Sequence, residues 1–263
     1  MRFAARNRAA RVERSGPIER ARSVTSTQLL RRRAAAERHR VALPWAPQAG
    51  PERARRALNL VIAGAGLLLM TPVLLAIAAL IKLTCGGPVF YKQTRIGLDR
   101  RVRGDRQGGD RRRRVDHGGQ PFTIYKLCSM DPSRSQPELQ VWATPEDPRV
   151  TPIGRVLRTY RLDEVPQLWN VLRGDMNVVG PRPEQPQIFA HLRTQIEHYA
   201  DRQRVRPGIT GWAQINHCYD RSVGDVRRKV AYDLEYLARH SVLEDLKIMV
   251  RTVPVVVFKR GAW

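Results

Sequence analysis

The longest apolar run of the chain spans residues 57–81, where 25 consecutive positions carry no charged side chain. A helix of that length reaches about 37 Å, which exceeds the roughly 30 Å hydrocarbon core of a bilayer. The run therefore predicts a membrane segment, whose simplest form is one spanning helix.

Two features of this run favour a different arrangement. Pro72 lies inside it and lacks a backbone donor, so we predict that the helix breaks at Thr71-Pro72, with the Thr71 hydroxyl bonding to a freed carbonyl. Basic residues flank both ends of the run, with Lys82 directly after it, whereas a spanning helix has one positive side. These features favour a re-entrant helix–break–helix over residues 54–84, with both ends in the cytoplasm.

Shorter patterned segments follow the membrane run. The stretches GPVFYKQTRIG and QPFTIYKLCSM predict short strands, and the Arg- and Gly-rich insertion at 99–119 between them predicts a solvated loop at the tip of a hairpin. From residue 147 onward the pattern changes to short helices separated by Pro and Gly, which makes the fold class mixed α/β. Two helices are predicted within 151–175, the second beginning near Asp163 and ending at Gly174. Further helices are predicted over 188–199, 226–240 and 243–258, the last of which fits either a core or a membrane interface.

The charge of the chain is concentrated outside these patterned segments. The formal net charge is +23, and residues 1–56 alone carry 15 Arg against 4 Glu. A basic surplus of this kind is typical of proteins that bind nucleic acid or an anionic membrane. The sequence predicts a disordered basic tail over 1–53, the membrane helix over 54–84 and a cytoplasmic domain over 85–263. A membrane-anchored protein that binds nucleic acid stays an alternative at this point.

The candidate chemistry centres on the adjacent carboxylates Asp163 and Glu164. The pair alone is ordinary chemistry for a helix start, where unpaired backbone donors favour an acidic side chain. Its surroundings are less ordinary, because Arg158 precedes it and the turn Pro181-Arg182-Pro183 holds one arginine on a restricted backbone. Carboxylates among arginines beside a membrane segment indicate a phosphate-bearing substrate, a divalent metal and phosphoryl transfer.

Five motifs of the chain resemble, in order and spacing, those of the bacterial sugar transferases. After the apolar run come GPVFYKQTRIG, PFTIYKLCSM, RLDEVPQLWNVLRGDMNVVGPRP, VRPGITGWAQIN and YDLEYLARHSVLEDLKIMVRT, and the resemblance covers about residues 54–263. These proteins are monotopic polyprenyl-phosphate phosphoglycosyl transferases. The resemblance implies a mixed α/β monotopic membrane protein with a re-entrant N-terminal helix, a small strand element and amphipathic interfacial helices.

The resemblance also implies an activity and a location. The expected reaction transfers a sugar-1-phosphate from a UDP-sugar to undecaprenyl phosphate and releases UMP, as the first step of exopolysaccharide, O-antigen or glycoprotein glycan assembly. The expected place is the cytoplasmic face of the bacterial inner membrane, where anionic lipids attract the basic segments. Nucleic acid is then not an expected partner, a homodimer stays open, and the sequence does not identify the sugar.

Residue roles follow by motif position. The resemblance makes Asp163 the nucleophile that forms a covalent aspartyl-phosphosugar intermediate, and it places Mg²⁺ at Asp163 and Glu164. The break of the membrane helix falls at Thr71 and Pro72. The resemblance implies that Arg158 and Arg182 bind phosphate. It makes Lys126 and Arg95 active-site or headgroup contacts, and Pro181 and Pro183 the residues that frame Arg182.

The chain departs from the family pattern at three places. Cys128 stands where the family usually has Arg, Asn59 where it often has Asp, and His217-Cys218 where it has Gly-Arg. Cys128 removes an arginine that would make one phosphate or metal contact, and the change at 217–218 points to another substrate choice or to reduced activity. These two departures leave a catalytically degenerate member of the family open as a further alternative.

Overall fold

The computed structural model describes residues 52–99, 118–131, 147–217 and 222–258. Residues 1–51 of the predicted basic tail and most of the predicted insertion at 99–119 lie outside the described residues, while residues 52 and 53 belong to the first helix instead of the tail. The described residues form a mixed α/β fold, as predicted. Its α-helices are α1 (Glu52–Cys85), α2 (Pro152–Thr159), α3 (Gln167–Arg173), α4 (Pro186–Gln195), α5 (Trp212–Asn216), α6 (Val223–Arg239) and α7 (Val242–Val257). Its strands are β1 (Phe90–Ile96), β2 (Pro121–Leu127), β3 (Asn177–Val179) and β4 (Gly208–Thr210).

Helix α1 is, within the described part of the chain, the one helix long and apolar enough to cross a membrane. It continues through Thr71 and Pro72 without interruption, so the predicted helix–break–helix is wrong at the level of secondary structure. Pro72 removes a single donor, and the Thr71 hydroxyl donates to the carbonyl of Leu67 at 2.7 Å. The carbonyl that Pro72 leaves without an N–H donor is that of Leu68, so the predicted bond from the Thr71 hydroxyl to a freed carbonyl is not the one formed. The bond to Leu67 lies in the same turn.

Both ends of α1 pack against the same domain. Near its start Ala63 is fully buried in a core cluster with Val171 of α3. Near its end Ile81 is buried with Leu127 of β2 and Leu157 of α2. The side of α1 that faces away from the domain exposes large apolar side chains, namely Val61, Leu68, Leu69, Leu75 and Leu83.

Buried polar contacts fix the base of α1. The Arg55 guanidinium donates to Asp245 at 2.9 Å and to the Tyr236 hydroxyl at 2.7 Å, and that hydroxyl donates to the other Asp245 oxygen at 2.7 Å. Asn59 accepts from the backbone N–H of Val178 and donates to the Arg55 carbonyl. An amide makes both bonds because it carries a donor and an acceptor, which explains Asn59 at a position where an ionised Asp only accepts.

The predicted strands form an antiparallel hairpin. Phe90 pairs with Leu127 and Ile96 with Pro121, so residues 97–120 connect adjacent strand ends, as predicted for the insertion. A second, parallel pair joins β3 to β4 and was not predicted. Strands of three residues are too short to show an alternating pattern.

The segment before α3 differs from the prediction. A 3-10 helix occupies Leu162–Glu164, and α3 begins at Gln167 instead of near Asp163. The cause is Pro166, which has no N–H for a bond to the carbonyl of Leu162, so that carbonyl accepts from Val165 instead. The other predicted helices are confirmed with shifted ends, as α4, α6 and α7.

Three glycines let β3, β4 and the next turn approach closely. A Cβ added to Gly208 would overlap the backbone nitrogen of Gly180, and one added to Gly211 would overlap the Gly180 carbonyl oxygen.

We expect Gly208→Ala to lower the free energy of unfolding by about 1–3 kcal/mol, because the backbone of Gly180 cannot move aside as a flexible side chain does. Denaturant unfolding in detergent measures this. Gly64→Ala is the control, since nothing lies within 4 Å of its added Cβ; equal stability of the two variants would contradict the prediction.

Candidate active site

The Asp163-Glu164 pair lies on the 3-10 helix between α2 and α3. Arg161 enters it with a left-handed backbone (φ 54°), and its carbonyl accepts from the N–H of Glu164 at 3.1 Å. This tight turn directs both carboxylates inward, and Asp163 and Glu164 are only 8% and 6% exposed. Buried charges require partners, which other elements supply.

Glu164 is held by two cations. Its Oε1 accepts from Lys126 Nζ and from Arg182 Nη2, each at 2.7 Å, and Arg161 lies 3.9 Å from its Oε2. Although burial opposes ionisation, the charges of Arg182 and Lys126 hold the pKa of Glu164 well below its ordinary value. Glu164 is therefore ionised, and it binds Lys126 of strand β2 and Arg182 of the Pro181–Pro183 turn.

Asp163 differs from its neighbour in its contacts. Among the described residues, none donates a hydrogen bond to its carboxylate. Burial, together with the negative charge of Glu164, raises the pKa of Asp163 above its ordinary value. The positive charges of Lys126, Arg158 and Arg182 oppose this rise. A carboxylate with unshared oxygens and raised basicity, surrounded by positive charge, is suited to attack a phosphorus atom.

The turn that carries Arg182 is fixed from both sides. Gly208 N–H donates to the Pro181 carbonyl at 3.0 Å. The buried guanidinium of Arg202 donates to the Arg182 carbonyl, and that of Arg95 donates to the Pro183 carbonyl, both at 3.1 Å. The backbone of Arg182 is thus held in place, which lets its side chain meet Glu164 in one geometry.

The structure brings most of the predicted site residues together. Lys126, Arg182 and Glu164 are in direct contact, and Arg158 acts on Asp163 through its charge. Pro181 and Pro183 are the sequence neighbours of Arg182, and both of their carbonyls accept hydrogen bonds that hold the turn. Arg95 lies behind the turn, where it also donates to Gln93. It positions the turn, and its contact with a lipid headgroup stays a prediction.

Sequence reasoning missed two residues that support Arg182. Gln214 of α5 accepts from Arg182 Nη1 at 3.2 Å, and Arg202 pairs with Asp233 of α6 at 2.6 Å in a fully buried contact. The motif VRPGITGWAQIN contains Gln214, so its place in a motif was the only signal. Nothing near Arg202 in the sequence points to Asp233.

A second cluster of charges surrounds Glu184, directly after this turn. Lys229 lies 3.0 Å from its carboxylate, Arg95 3.9 Å and Arg202 4.0 Å. Burial opposes its ionisation, but the charges of Lys229, Arg202 and Arg95 lower the pKa of Glu184 to about 2. The cluster ties β1 and α6 to the Arg182 turn.

This lowered pKa predicts a pH-dependent stability. The stabilisation by ionised Glu184 is fully present above its ordinary pKa of 4.5 and is lost as the pH falls towards about 2. The loss is on the order of 3 kcal/mol. We expect the free energy of unfolding of wild type and Glu184→Gln to converge over this interval. Urea unfolding at a series of pH values measures it, with the exposed Glu197→Gln as control; a constant gap between wild type and Glu184→Gln would contradict the prediction.

Among the departures from the family pattern, Cys128 makes its side-chain contact within its own loop. The Cys128 thiol donates to the Met130 carbonyl at 3.2 Å, and burial raises the pKa of this thiol. Cys128 therefore has a local structural contact. His217 follows α5, and Cys218 lies outside the described residues.

The dyad offers few ligands for the predicted Mg²⁺. Within the described ranges no group of three or more Asp, Glu, His or Cys side chains is placed to hold a metal. Mg²⁺ commonly binds one or two carboxylates together with substrate phosphates and water. Asp163 fits that role, whereas Glu164 would have to exchange a cation for the metal.

Comparison with known proteins agrees with this arrangement of motifs. A family model described as "Bacterial sugar transferase" matches residues 51–103 and 109–259. The chain belongs to the bacterial sugar transferase family. Its two matched ranges contain every described site residue, and residues 104–108 between them fall within the insertion.

Several relatives of this bacterial sugar transferase have names that state an activity. A UDP-glucose:undecaprenyl-phosphate glucose-1-phosphate transferase of Caulobacter vibrioides is 38% identical over 210 residues, which cover 79% of this chain and 71% of the relative. One of the same name from Escherichia coli is 40% identical over 201 residues, covering 76% of this chain and 39% of the relative.

A UDP-N-acetylgalactosamine-undecaprenyl-phosphate N-acetylgalactosaminephosphotransferase of Aeromonas hydrophila is also similar. It is 36% identical over 208 residues, which cover 79% of this chain and 44% of the relative. The chain thus spans less than half the length of this protein and of the Escherichia coli relative.

Proposed function

We propose that this chain transfers a sugar-1-phosphate from a UDP-sugar to undecaprenyl phosphate and releases UMP. The relatives carry this activity in their names, with glucose or N-acetylgalactosamine as the sugar. The observation that carries the proposal is the division of the dyad: Lys126 and Arg182 hold Glu164, while the Asp163 carboxylate accepts no hydrogen bond from the described residues. In such a pair Asp163 is available as the nucleophile, and Glu164 holds the two cations in place.

In the first step an Asp163 oxygen attacks the β-phosphorus of the UDP-sugar. A bond forms between that oxygen and phosphorus, and the bond from phosphorus to the bridging oxygen breaks. UMP leaves with the bonding electron pair, and the sugar phosphate stays on Asp163 as an acyl phosphate. Arg182, Lys126 and Arg158 place positive charge where the transferring phosphate gathers negative charge.

In the second step a phosphate oxygen of undecaprenyl phosphate attacks the same phosphorus. The Asp163–phosphorus bond breaks, the carboxylate leaves with its electron pair, and the product is a lipid diphosphate sugar. The two half-reactions predict ping-pong kinetics. Mg²⁺ would be held by Asp163, with Glu164 as a second ligand only where it exchanges one of its two cations for the metal. When bound, the ion would supply positive charge to the transferring phosphate.

We place α1 in one leaflet as a re-entrant element, with the domain on the cytoplasmic face of the inner membrane. Contacts of both α1 ends with the same domain support this topology, because a helix that crosses a bilayer separates its ends. Thr71 and Pro72 would then mark a bend of a continuous helix instead of a break. Anionic lipids are the partners that suit the basic surplus.

The product suits the first step of exopolysaccharide or O-antigen assembly. The reaction makes a lipid-linked monosaccharide that later transferases extend. A homodimer is compatible with this proposal and is not required by it.

A transfer assay tests the proposal. The purified chain in bilayers with Mg²⁺ and undecaprenyl phosphate would receive radiolabelled UDP-sugars, beginning with UDP-glucose and UDP-N-acetylgalactosamine. We expect label in the extracted lipid with an equal amount of UMP, and about one UMP per chain when the lipid is omitted. Absence of UMP release from every UDP-sugar would overturn the proposal and favour a degenerate family member.

A further inference from the structure

An apolar groove adjoins the dyad. It has a volume of about 190 Å³ and lies between the 3-10 helix, the β4–α5 segment and helix α7. Apolar side chains form most of its lining, namely Val165, Leu168, Ile209, Ile215, Val255 and Val256. Glu164, Arg161 and Gln214 lie at its polar end.

The groove does not suit a nucleotide sugar. Sites for ligands of drug size commonly occupy about 300–1,000 Å³ and include polar groups that orient the ligand. The groove is smaller, and its apolar side chains offer no hydrogen bond to a base or a sugar. Thr210 and Thr252 also line it, but their hydroxyls lie 2.8 Å from each other, and that of Thr252 donates to the Ile248 carbonyl. The mostly apolar lining suits a short piece of hydrocarbon chain.

The groove adjoins the membrane segment. Leu168, one of its apolar walls, packs against α1 at Gly66, where a Cβ would lie 3.0 Å from the Leu168 Cδ1. Gly66 lies within the uncharged run of α1. Helix α7, which forms another wall, exposes Val250 (70%) on the face opposite the groove. A hydrocarbon chain is therefore available beside the groove wherever α1 is buried in lipid.

The polar end of the groove contains a buried amide donor that lacks an acceptor. Gln214 uses its Oε1 to accept from Arg182, while its Nε2 is buried and donates to no group among the described residues. A buried donor without an acceptor costs roughly 1–3 kcal/mol, so such groups commonly await a ligand or water. Arg161 and Arg182 add positive charge at the same end.

We infer that this groove holds the first isoprene units of the acceptor lipid, with its phosphate at the Gln214 end, next to the dyad. The inference rests on the proposed function, since it assigns the place of the second substrate. The occupant requires one apolar end and one anionic end, and the groove provides complementary surfaces for both. The acceptor phosphate then reaches the phosphorus on Asp163 from the side of Arg161 and Gln214.

Filling the groove tests the inference through separate half-reactions. Val256→Trp places an indole in the groove, and Val250→Trp puts the same side chain on the opposite, exposed face of the same helix. We expect Val256→Trp to slow transfer from the preformed intermediate to undecaprenyl phosphate at least about tenfold more than it slows the UMP burst measured without lipid. Val250→Trp should slow neither step selectively. If Val256→Trp slowed both half-reactions equally, the inference would be overturned.

Crosslinking provides a test that needs no variant. Wild-type protein would be irradiated with a polyprenyl phosphate that carries a diazirine in its first isoprene unit, and labelled peptides would be identified by mass spectrometry. We expect label on Leu168 or on Val255 and Val256, and label confined to other parts of the chain would overturn the inference. Absence of a UMP burst from wild type would instead reject the proposed function and leave this binding test valid.

Discussion

Replacing Asp163 with Asn is expected to abolish turnover. The amide has nearly the shape of the carboxylate, but its oxygen is a poor nucleophile and forms no acyl phosphate. Loss of a nucleophile commonly lowers kcat by about 10⁴-fold to 10⁶-fold, and we expect a loss of at least about 10⁴-fold here. The measurement is UMP release from a UDP-sugar, together with the intact mass of the protein after incubation without acceptor.

Two comparison variants give this result its meaning. Asp175→Asn makes the same chemical change at a carboxylate that pairs with Arg173 at 3.3 Å, and we expect near wild-type turnover. Glu164→Gln removes the charge that Lys126 and Arg182 share, so it should slow both half-reactions while still allowing a mass adduct on Asp163. Full turnover of Asp163→Asn, or an adduct on that variant, would reject Asp163 as the nucleophile.

Replacing Arg202 with Met is expected to cause the largest loss of stability among these variants. Its guanidinium and the Asp233 carboxylate are both almost fully buried and lie 2.6 Å apart. Removal of one partner leaves an uncompensated charge in the interior, which costs about 3–5 kcal/mol. The free energy of unfolding, measured by denaturant titration in detergent, should fall by that amount. Because Arg202 also donates to the Arg182 carbonyl, turnover should fall as well.

A double variant distinguishes the cost of an unpaired buried charge from the cost of a changed side-chain shape. Arg202→Met combined with Asp233→Leu removes both charges, and such replacements often recover most of the lost stability. Arg228→Ala is the exposed control, since its pair with Asp225 at 2.6 Å lies at the surface and should contribute about 0–1 kcal/mol. A single variant as stable as the control, or a double variant less stable than the single one, would contradict this account of Arg202.

Local patterns predicted the elements well where one residue type dominated a segment. The uncharged run predicted α1, and the two strand-like stretches predicted the β1–β2 hairpin. The errors arose at prolines. Pro72 predicted a break that α1 does not have, because a helix tolerates one lost donor, while Pro166 moved the start of α3 to Gln167 and left Asp163 on a 3-10 helix.

The motifs predicted roles for the site residues, which stay predictions, but they did not predict the contacts between these side chains. Motif resemblance identified Asp163, Glu164, Lys126 and Arg182 without stating which carboxylate the cations hold. The structure places Lys126 and Arg182 on Glu164 and leaves the Asp163 oxygens without a hydrogen-bond donor among the described residues. That difference depends on side chains from separate elements, which sequence spacing does not relate.

The sequence by itself determined the long apolar helix and the family, and it singled out the Asp163-Glu164 pair, because hydropathy, periodicity and motif spacing are properties of neighbours along the chain. Only the tertiary structure decided which charges meet. Lys126 lies 38 positions from Glu164, and Arg55 lies 190 positions from Asp245. The physical reason is that burying a charge without a partner costs free energy. For these residues the partner belongs to a distant segment of the chain, and only the fold brings the two into contact.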